Sequence, residues 1–249
     1  MRGTVLVTGG SRGIGAATAW LAAAQQGHAV AVNYARDAAA AQRVVDRLWA
    51  AGAQALALQA DVADEQQVLA MFSRLDAELP PLVGLVNNAG VVDRSARLDE
   101  MDLARWQRMF SINVFGSFLC AREAVKRMST RHGGRGGAIV NLSSAAARLG
   151  SPGMYLDYAA SKGAIDVFTL GLAREVAGEG IRVNAVRPGI IDTEIHASGG
   201  QAERAREAAP QLPIGRAGTA EEVAQAIVWL LSDAASYTTG ALLDVAGGR

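Results

Sequence analysis

The chain has 249 residues, half of them hydrophobic and 19% charged, so it is long and apolar enough to bury a sizeable core. Its 24 basic and 24 acidic residues cancel, which leaves no overall charge to attract nucleic acid or an anionic membrane. It has one cysteine, three histidines without metal-ligand spacing, no apolar run of 18 residues and no signal-peptide pattern. We therefore expect a soluble cytoplasmic protein that binds no metal, membrane or nucleic acid.

Short apolar segments alternate with helix-length segments along the whole chain. Helices are predicted near residues 14–26, 38–51, 64–78, 99–130, 155–178 and 220–232. The apolar segments lack polar alternation, as expected of strands buried on both faces: Thr4–Thr8, Ala29–Asn33, Ala55–Gln59, Leu82–Asn87, Ala138–Leu142, Ile181–Val186 and Leu242–Val245. This order predicts an α/β fold of one domain, residues 1–249. We expect a Rossmann fold, with a doubly wound parallel seven-stranded sheet covered by helices on both faces.

The first predicted strand runs into the glycine-rich turn Thr8-Gly-Gly-Ser-Arg-Gly-Ile-Gly15, and a helix follows directly. Ligands of open α/β sheets bind at the carboxyl ends of the strands, and free helix N–H groups there favour a pyrophosphate. The spacing G-x-x-x-G-x-G differs from the plain dinucleotide fingerprint, and a turn that merely connects strand to helix is the alternative. The residues of the turn predicted to bind a dinucleotide are Gly9, Ser11, Arg12, Gly13, Ile14 and Gly15.

The end of the second strand bears on the choice of dinucleotide. Sites selective for NAD place an acid there to bind the ribose 2′-hydroxyl, but this chain has no carboxylate between Asn33 and Arg36. The guanidinium groups of Arg12 and Arg36 suit a 2′-phosphate, although both can equally be solvated loop arginines. We predict NADP(H) rather than NAD(H), with Asn33 and Arg36 at the adenosine end.

The segment Tyr158-Ala-Ala-Ser-Lys162 places a tyrosine and a lysine about one helical turn apart on one face. Such a pair, taken alone, is usually a solvent-exposed surface pair. The chain, however, contains 22 arginines and only two lysines, Lys126 and Lys162. A lysine here therefore needs a reason, because a compact ammonium can fit where a planar guanidinium cannot.

Further motifs follow the predicted strands in order. They are Asp61-Val62 after the third strand, Asn87-Asn-Ala-Gly90 after the fourth, Asn113 in the next helix, Ser143-Ser144 after the fifth strand, and Pro188-Gly189 with Thr193 after the sixth. With the glycine turn and the Tyr158/Lys162 pair, this set resembles the short-chain dehydrogenase/reductase superfamily over essentially the whole chain. The resemblance is to the kind that includes 3-oxoacyl-carrier-protein reductases and glucose 1-dehydrogenases.

The resemblance implies an oxidoreductase that transfers a hydride between NADP(H) and a carbonyl or secondary alcohol. Its implied catalytic residues are Asn113, which holds a proton-relaying water, Ser144, which polarises the substrate oxygen, Tyr158, the acid/base, and Lys162. A tyrosine with its ordinary pKa of about 10 is a poor catalyst near neutrality, and lowering that pKa to about 7 takes roughly 4 kcal/mol. Lys162 and the positive charge of oxidised nicotinamide are the expected sources. Ser143 is the structural alternative to Ser144, and Tyr155, which has Ala159 four residues on, should line the pocket or pack.

The resemblance also assigns the remaining cofactor contacts. Lys162 would bond the nicotinamide ribose beside Tyr158, and the substrate lid would lie near residues 190–213, where His196 either touches substrate or is exposed. Asn88 is explained equally well by capping. The other implied contacts are Asp61 and Val62 for adenine, Asn87, Ala89 and Gly90 for ribose, and Pro188, Gly189, Ile191 and Thr193 around the carboxamide.

Two alternative functions remain open, and the resemblance also implies an oligomeric state. A 3-oxoacyl-carrier-protein reductase is weakened by Glu179, because carrier-dependent reductases tend to have a basic residue there. A non-catalytic NADPH-binding scaffold or sensor is the alternative of another class. We expect a homotetramer with the helices near 99–130 and 155–178 at a two-fold interface, on resemblance and on the small residues Ala159, Ala160, Gly163, Ala164, Gly171 and Ala173.

Overall fold

The computed structural model describes residues 3–249, with the side chains of His196 and Ser198 outside that description. Seven parallel strands form one sheet in the order β3-β2-β1-β4-β5-β6-β7. Chain order reverses between β1 and β4, so a ligand-binding crevice is expected where these strands end. The strands are β1 (Thr4–Val7), β2 (Ala29–Tyr34), β3 (Ala55–Gln59), β4 (Leu82–Asn87), β5 (Gly137–Leu142), β6 (Ile181–Pro188) and β7 (Leu242–Val245). The predicted fold class is confirmed.

Helices cover both faces of the sheet. They are α1 (Gly13–Gln26), α2 (Ala38–Ala50), α3 (Glu65–Glu78), α4 (Leu103–Phe110), α5 (Gly116–Met128), α6 (Ala146–Leu149), α7 (Leu156–Val176), α8 (Ile195–Ser198), α9 (Arg204–Ala208) and α10 (Ala220–Leu231). Short 3₁₀ turns span Leu98–Glu100, Thr130–His132, Ala177–Glu179, Ala209–Gln211 and Asp233–Ala235. Within residues 3–249, no helix combines the length and apolarity that crossing a bilayer requires.

Alternation along the strands divides the core into two layers, because successive side chains point to opposite faces. Val5 and Val7 of β1 pack with α1, α2 and α10, whereas Leu6 packs with α3, α5 and α7. Cys120 lies in the second layer, where burial raises the pKa of its thiol to about 12. Cys120 is therefore an inert core residue, as its apolar context indicates.

The single helix predicted over 99–130 is wrong in two respects: the α-helix begins only at Leu103, after the 3₁₀ turn Leu98–Glu100, and a π-helical turn, Ser111–Phe115, separates α4 from α5. At the exit of this turn the Gly116 N–H reaches back five residues to the Ser111 carbonyl. Gly116 packs directly on the loop after β3, because a Cβ there would lie 2.6 Å from Val62 Cγ2. Apolar periodicity cannot reveal one inserted residue, and such turns are common at functional sites.

The segment predicted to form the substrate lid, 190–213, holds two short helices, α8 and α9, and a small hydrophobic cluster of its own. Ile190, Ala205 and Leu212 form that cluster. The Gly218 N–H donates to the Ile190 carbonyl at 2.9 Å, which ties the base of the segment to the chain before α10. The segment thus has its own packed cluster, and its first residue is hydrogen-bonded to the chain before α10.

Candidate active site

A cavity of about 160 Å³ opens at the carboxyl ends of the strands. Its walls come from the ends of β4, β5 and β6, the start of α7, and residues 190–204. Nine residues predicted from sequence to act on cofactor or substrate meet there: Ile14, Gly90, Ser144, Tyr158, Lys162, Pro188, Gly189, Ile191 and Thr193. The parallel topology alone explains this meeting, since all the strands end on one edge.

Tyr158 and Lys162 face the cavity together from the first turns of α7. The ammonium of Lys162 lies 5.6 Å from the centre of the Tyr158 ring and donates to the Leu142 carbonyl at 2.6 Å. Only 5% of Lys162 is exposed, and burial lowers its pKa to about 8 against the opposing charge of Asp166. Lys162 is therefore a buried functional-group candidate and not a surface cation.

The electrostatics of Tyr158 differ from the sequence-based expectation. Burial raises the pKa of the phenol, and hydrogen bonding with Ser144 opposes that rise only in part. In the chain by itself the pKa of Tyr158 is therefore raised, because desolvation of the phenolate outweighs the polar contact, and the expected lowering depends on the charge of oxidised nicotinamide. Any lowering must come from positive charge added beside the Tyr158–Lys162 pair.

The two serines after β5 have different surroundings. Ser144 lines the cavity, half-buried, and its hydroxyl accepts the Ala146 N–H at 3.1 Å. Ser143 is buried, and its hydroxyl donates to the Lys162 carbonyl at 3.2 Å, which joins β5 to α7. Ser144 is accordingly the hydroxyl placed near Tyr158, and Ser143 holds the backbone beneath it.

Asn113 lies in the π-helical turn and is 1% exposed. Its amide oxygen accepts the Val91 N–H at 2.8 Å, and its amide nitrogen donates to the Val91 carbonyl at 3.0 Å and to Ser161 Oγ at 3.2 Å. A Cβ on Gly90 would lie 3.4 Å from Asn113 Oδ1 and 3.6 Å from Lys162 Nζ. The Asn113 side chain therefore fixes the loop after β4 against α7, immediately beside Lys162.

An ion pair that sequence inspection missed fixes the start of α7. Arg105 Nε donates to Asp157 Oδ2 at 2.7 Å, with the Arg105 and Asp157 side chains only 11% and 2% exposed. Asp157 Oδ1 accepts the Tyr158 N–H at 2.9 Å, so the pair joins α4 to the residue beside the proposed acid/base. Hydrogen bonding to Asp157 raises the pKa of Arg105. The two residues are 52 positions apart, so no local pattern could reveal their pairing.

The glycine turn has the shape of an anion cradle. Gly9 and Gly13 have φ of 59° and 51°, the left-handed region that glycine enters without strain. The first residues of α1 have no side-chain cap, and no acid lies in its first turn. Gly15 cannot carry a side chain, because a Cβ there would lie 2.6 Å from Asn88 Nδ2. An uncapped helix N-terminus behind a close-packed glycine turn, which also holds Ser11 and Ile14, fits a pyrophosphate.

Three asparagines support this region: Asn33 and Asn87, which are buried, and Asn88, which is half-buried. Asn33 accepts the Gly9 N–H at 3.2 Å and donates to the Leu58 and Ala60 carbonyls. The Asn88 amide donates to the Thr8 and Gly9 carbonyls, both at 2.9 Å, and Asn87 donates to Asn141 Oδ1 at 2.9 Å. The predicted direct contact of Asn33 with the cofactor is not what the geometry favours, because its amide is committed to holding the turn. Asn88 likewise has the structural role left open above.

At the adenosine end, Arg12 and Arg36 are exposed. Asp37, the first acid after β2, accepts the Ala40 N–H at 2.9 Å as the cap of α2. Asp61 accepts the Ala63 N–H at 3.0 Å, and Val62 beside it is buried. The carboxylates of Asp37 and Asp61 thus each accept a hydrogen bond from the backbone.

After β6, the chain folds back over the glycine turn. Gly189 packs against the segment after β7, since a Cβ there would lie 2.8 Å from Ala246 Cα. Ile191 is buried, and Thr193 Cγ2 lies 3.3 Å from where a Cβ on Gly13 would be.

Other predicted residues lie around the glycine turn and the cavity. The Ala89 N–H donates to Thr8 Oγ1 at 3.0 Å. Tyr155 lines the cavity, as do Arg204 and Arg249, which sequence inspection missed. The His196 side chain lies outside the described part.

Comparison with known proteins agrees with this fold. A family model described as Enoyl-(Acyl carrier protein) reductase matches residues 9–249. An uncharacterised oxidoreductase of Escherichia coli (strain K12), YgfF, is 59% identical over 98% of this chain and 98% of its own. The cis-4-hydroxycyclohexanecarboxylate dehydrogenase of Sinomonas cyclohexanicum is 43% identical, over 98% of this chain and 94% of its own. A solved structure of a blue fluorescent protein from a metagenomic library in complex with NADPH has a TM-score of 0.89 and 36% identity, covering 98% and 96% of the two chains.

The fold and the matches define an oxidoreductase that uses a nicotinamide cofactor. The chain belongs to the short-chain dehydrogenase/reductase superfamily, whose members interconvert CH–OH and C=O groups. The resemblance stated from the sequence motifs is thereby confirmed.

Proposed function

We propose that the protein is an NADP(H)-dependent oxidoreductase that interconverts a small carbonyl compound and its secondary alcohol, with Tyr158 as acid/base. The observation that carries this proposal is the burial of Lys162 beside Tyr158 and Ser144 in one cavity. A bound nicotinamide supplies the hydride in reduction and accepts it in oxidation.

Each residue then has a defined task. In reduction, the substrate carbon gains the hydride, and Tyr158 donates its proton to the substrate oxygen, which Ser144 has held by a hydrogen bond. Lys162 stabilises the resulting phenolate and bonds the ribose. Asn113 holds the loop and the proton-relaying water beside them. In oxidation the same phenolate takes the proton back.

Selectivity for NADP(H) rests on charge at the adenosine end. Arg12 and Arg36 are exposed cations that make no ion pair within the described part of the chain, and Asp37 is engaged as a helix cap. A 2′-phosphate could therefore be bound by two guanidinium groups, whereas the carboxylate of Asp37 is held at the start of α2. The similar protein solved with NADPH supports the same choice.

A second candidate is reduction of 3-oxoacyl groups on a carrier protein, because a Synechocystis protein named as a 3-oxoacyl-[acyl-carrier-protein] reductase is 41% identical over 98% of this chain. Glu179 weighs against it, because an acid stands where a carrier would need a basic residue, and it accepts a hydrogen bond from Ser129. A non-catalytic NADPH sensor is disfavoured by Tyr158, because a protein that only binds the cofactor has no need of a phenol beside Ser144 and Lys162.

The lid and the assembly belong to the same proposal. Residues 190–213 cover the cavity as a substrate lid.

The protein is also proposed to be a cytoplasmic homotetramer. The tetramer is supported by apolar surface on the two expected interface helices, where Phe115 is 57% and Val167 is 71% exposed. Ala159 and Ala173 are buried in the protomer, so only the other small residues of α7 are free to make close contacts between protomers.

The test is a panel of ketones and aldehydes with NADPH, and of alcohols with NADP, followed by nicotinamide absorbance. We expect steady turnover of at least one carbonyl compound and loss of that turnover in Tyr158→Phe. Binding of NADPH without turnover of any member would instead support the sensor.

A further inference from the structure

Two arginines, Arg204 and Arg249, form part of the cavity wall and have no task in the proposed hydride chemistry. Arg204 begins α9 in the proposed lid, and Arg249 follows β7. They are 45 residues apart in sequence, and only the fold brings them to one cavity.

The charge of the cavity lining is one-sided. Its charged side chains within residues 3–249 are Lys162, Arg204 and Arg249, with no aspartate or glutamate among them. The chain as a whole carries 24 acids and 24 basic residues, so composition does not explain this excess. Arg187, near the same edge of the sheet, is by contrast paired with Asp166 at 2.8 Å.

Arg204 is held in place but not neutralised. Its Nη1 donates to Gln201 Oε1 at 2.7 Å, and its guanidinium lies 5.1 Å from the centre of the Tyr155 ring. The Tyr155 hydroxyl donates to the same Gln201 oxygen at 2.6 Å, which fixes all three side chains together. A guanidinium has five N–H donors, so most of those on Arg204 remain available to a ligand.

Arg249 completes the pair. Arg249 lines the same cavity as Arg204; burial lowers the pKa of Arg249, and the positive charge of Arg204 lowers it further. Its main-chain oxygen accepts a hydrogen bond from Arg148 Nη2 at 2.8 Å, which leaves the guanidinium unengaged by that contact. The backbone before it packs on the lid, since a Cβ on Gly248 would lie 3.0 Å from Pro213 Cβ. Two adjacent cations are best relieved by an anion between them.

We propose that Arg204 and Arg249 form a carboxylate subsite, and that the substrate is an oxo or hydroxy acid whose carboxylate lies away from the reacting carbon. The planar forks of two arginines match a carboxylate, while Ser144 and Tyr158 hold the oxygen that reacts. This inference rests on the proposed function, because it identifies the substrate class of the same cavity.

The test measures binding and needs no turnover. Titration calorimetry on the full chain loaded with NADP compares cyclohexanecarboxylate with cyclohexanecarboxamide, which have the same ring and differ in charge. We expect the carboxylate to bind at least about tenfold more tightly, as for hydrogen bonds between charged groups. Arg204→Gln and Arg249→Gln should each remove most of that preference and leave carboxamide binding unchanged.

Arg206→Gln is the matched control, because Arg206 lies on the same short helix, pairs with Glu203 at 2.9 Å and has a side chain 80% exposed. It should keep the full preference for carboxylate. Equal affinity for the two ligands, no binding of either, or an unchanged preference in both variants would overturn the subsite. Absence of turnover with any carbonyl compound would count against the proposed function alone, since the binding comparison can still be made.

Discussion

The two ends of the cofactor cleft present their cations in opposite ways. At the nicotinamide end, Lys162 is 5% exposed and bonded to the Leu142 carbonyl beside Tyr158. At the adenosine end, Arg12 and Arg36 are exposed to solvent. Burying an ammonium costs free energy, whereas leaving a guanidinium in water costs almost nothing. A buried cation therefore implies a function more strongly than an exposed one does.

Tyr158→Phe should have the largest effect, because it removes the proton donor and nothing else in the cavity. We expect turnover to fall at least about a thousandfold, with the Kd for NADPH within a few-fold of the parent. Steady-state kinetics and fluorescence titration measure the two quantities. Tyr237→Phe is the control, since Tyr237 is fully exposed. Retained activity in Tyr158→Phe would mean that another group is the acid.

Lys162→Arg keeps the charge but changes its shape. The broader guanidinium must displace either Tyr158 or the ribose, and a displacement of about 1 Å can cost on the order of a hundredfold in rate. We expect a loss of kcat of that size with an unchanged circular dichroism spectrum. Lys126→Arg provides the comparison, because Lys126 is a surface lysine paired with Glu123 at 2.8 Å. Near-parental turnover in Lys162→Arg would mean that Tyr158 and Lys162 do not act together in catalysis.

Lys162→Met should stabilise the protein while inactivating it. The pKa of Lys162 falls from 10.5 to about 8 on folding, so protonation favours the unfolded chain. The penalty is complete below pH 8, shrinks as pH rises, and is absent above 10.5. At pH 7 we expect the free energy of unfolding to rise by about 1–3 kcal/mol, measured by urea denaturation. A stability difference that does not change with pH would contradict the burial argument.

Arg36→Asp should have the smallest effect, because its site is exposed. The parent is expected to prefer NADPH over NADH at least about tenfold in kcat/KM, and the variant should narrow or invert that preference. Arg43→Asp on α2 makes the same charge change at another exposed arginine and should not alter the preference. Equal kcat/KM with both cofactors in the parent would show that Arg12 and Arg36 are merely solvated.

The fold and the glycine turn could be predicted from sequence because their determinants are local. Buried parallel strands are continuous apolar runs, and a turn such as Gly9–Gly15 needs its glycines at fixed spacing. The Tyr158/Lys162 pair was visible for the same reason, since one helical turn places both on one face.

The features missed by sequence inspection depend on contacts between distant segments. Arg105 and Asp157 meet only because α4 packs beside α7, and Arg204 and Arg249 meet only through the lid. The π-helical turn around Asn113 depends on one residue of register, below the resolution of apolar periodicity. The raised pKa of Tyr158 in the chain by itself could not be predicted, because desolvation depends on burial, which no motif records.

The most direct test of the account is the ionisation of Tyr158, followed by ultraviolet difference absorbance of tyrosinate against Tyr158→Phe as the blank. Without cofactor, burial should keep the pKa of Tyr158 above its ordinary value of 10.0. With saturating NADP, the added positive charge beside Lys162 should bring it down towards neutrality, and Lys162→Met should abolish most of that change. A phenol that titrates at the same pH with and without NADP would contradict the claim that Tyr158 is the acid/base.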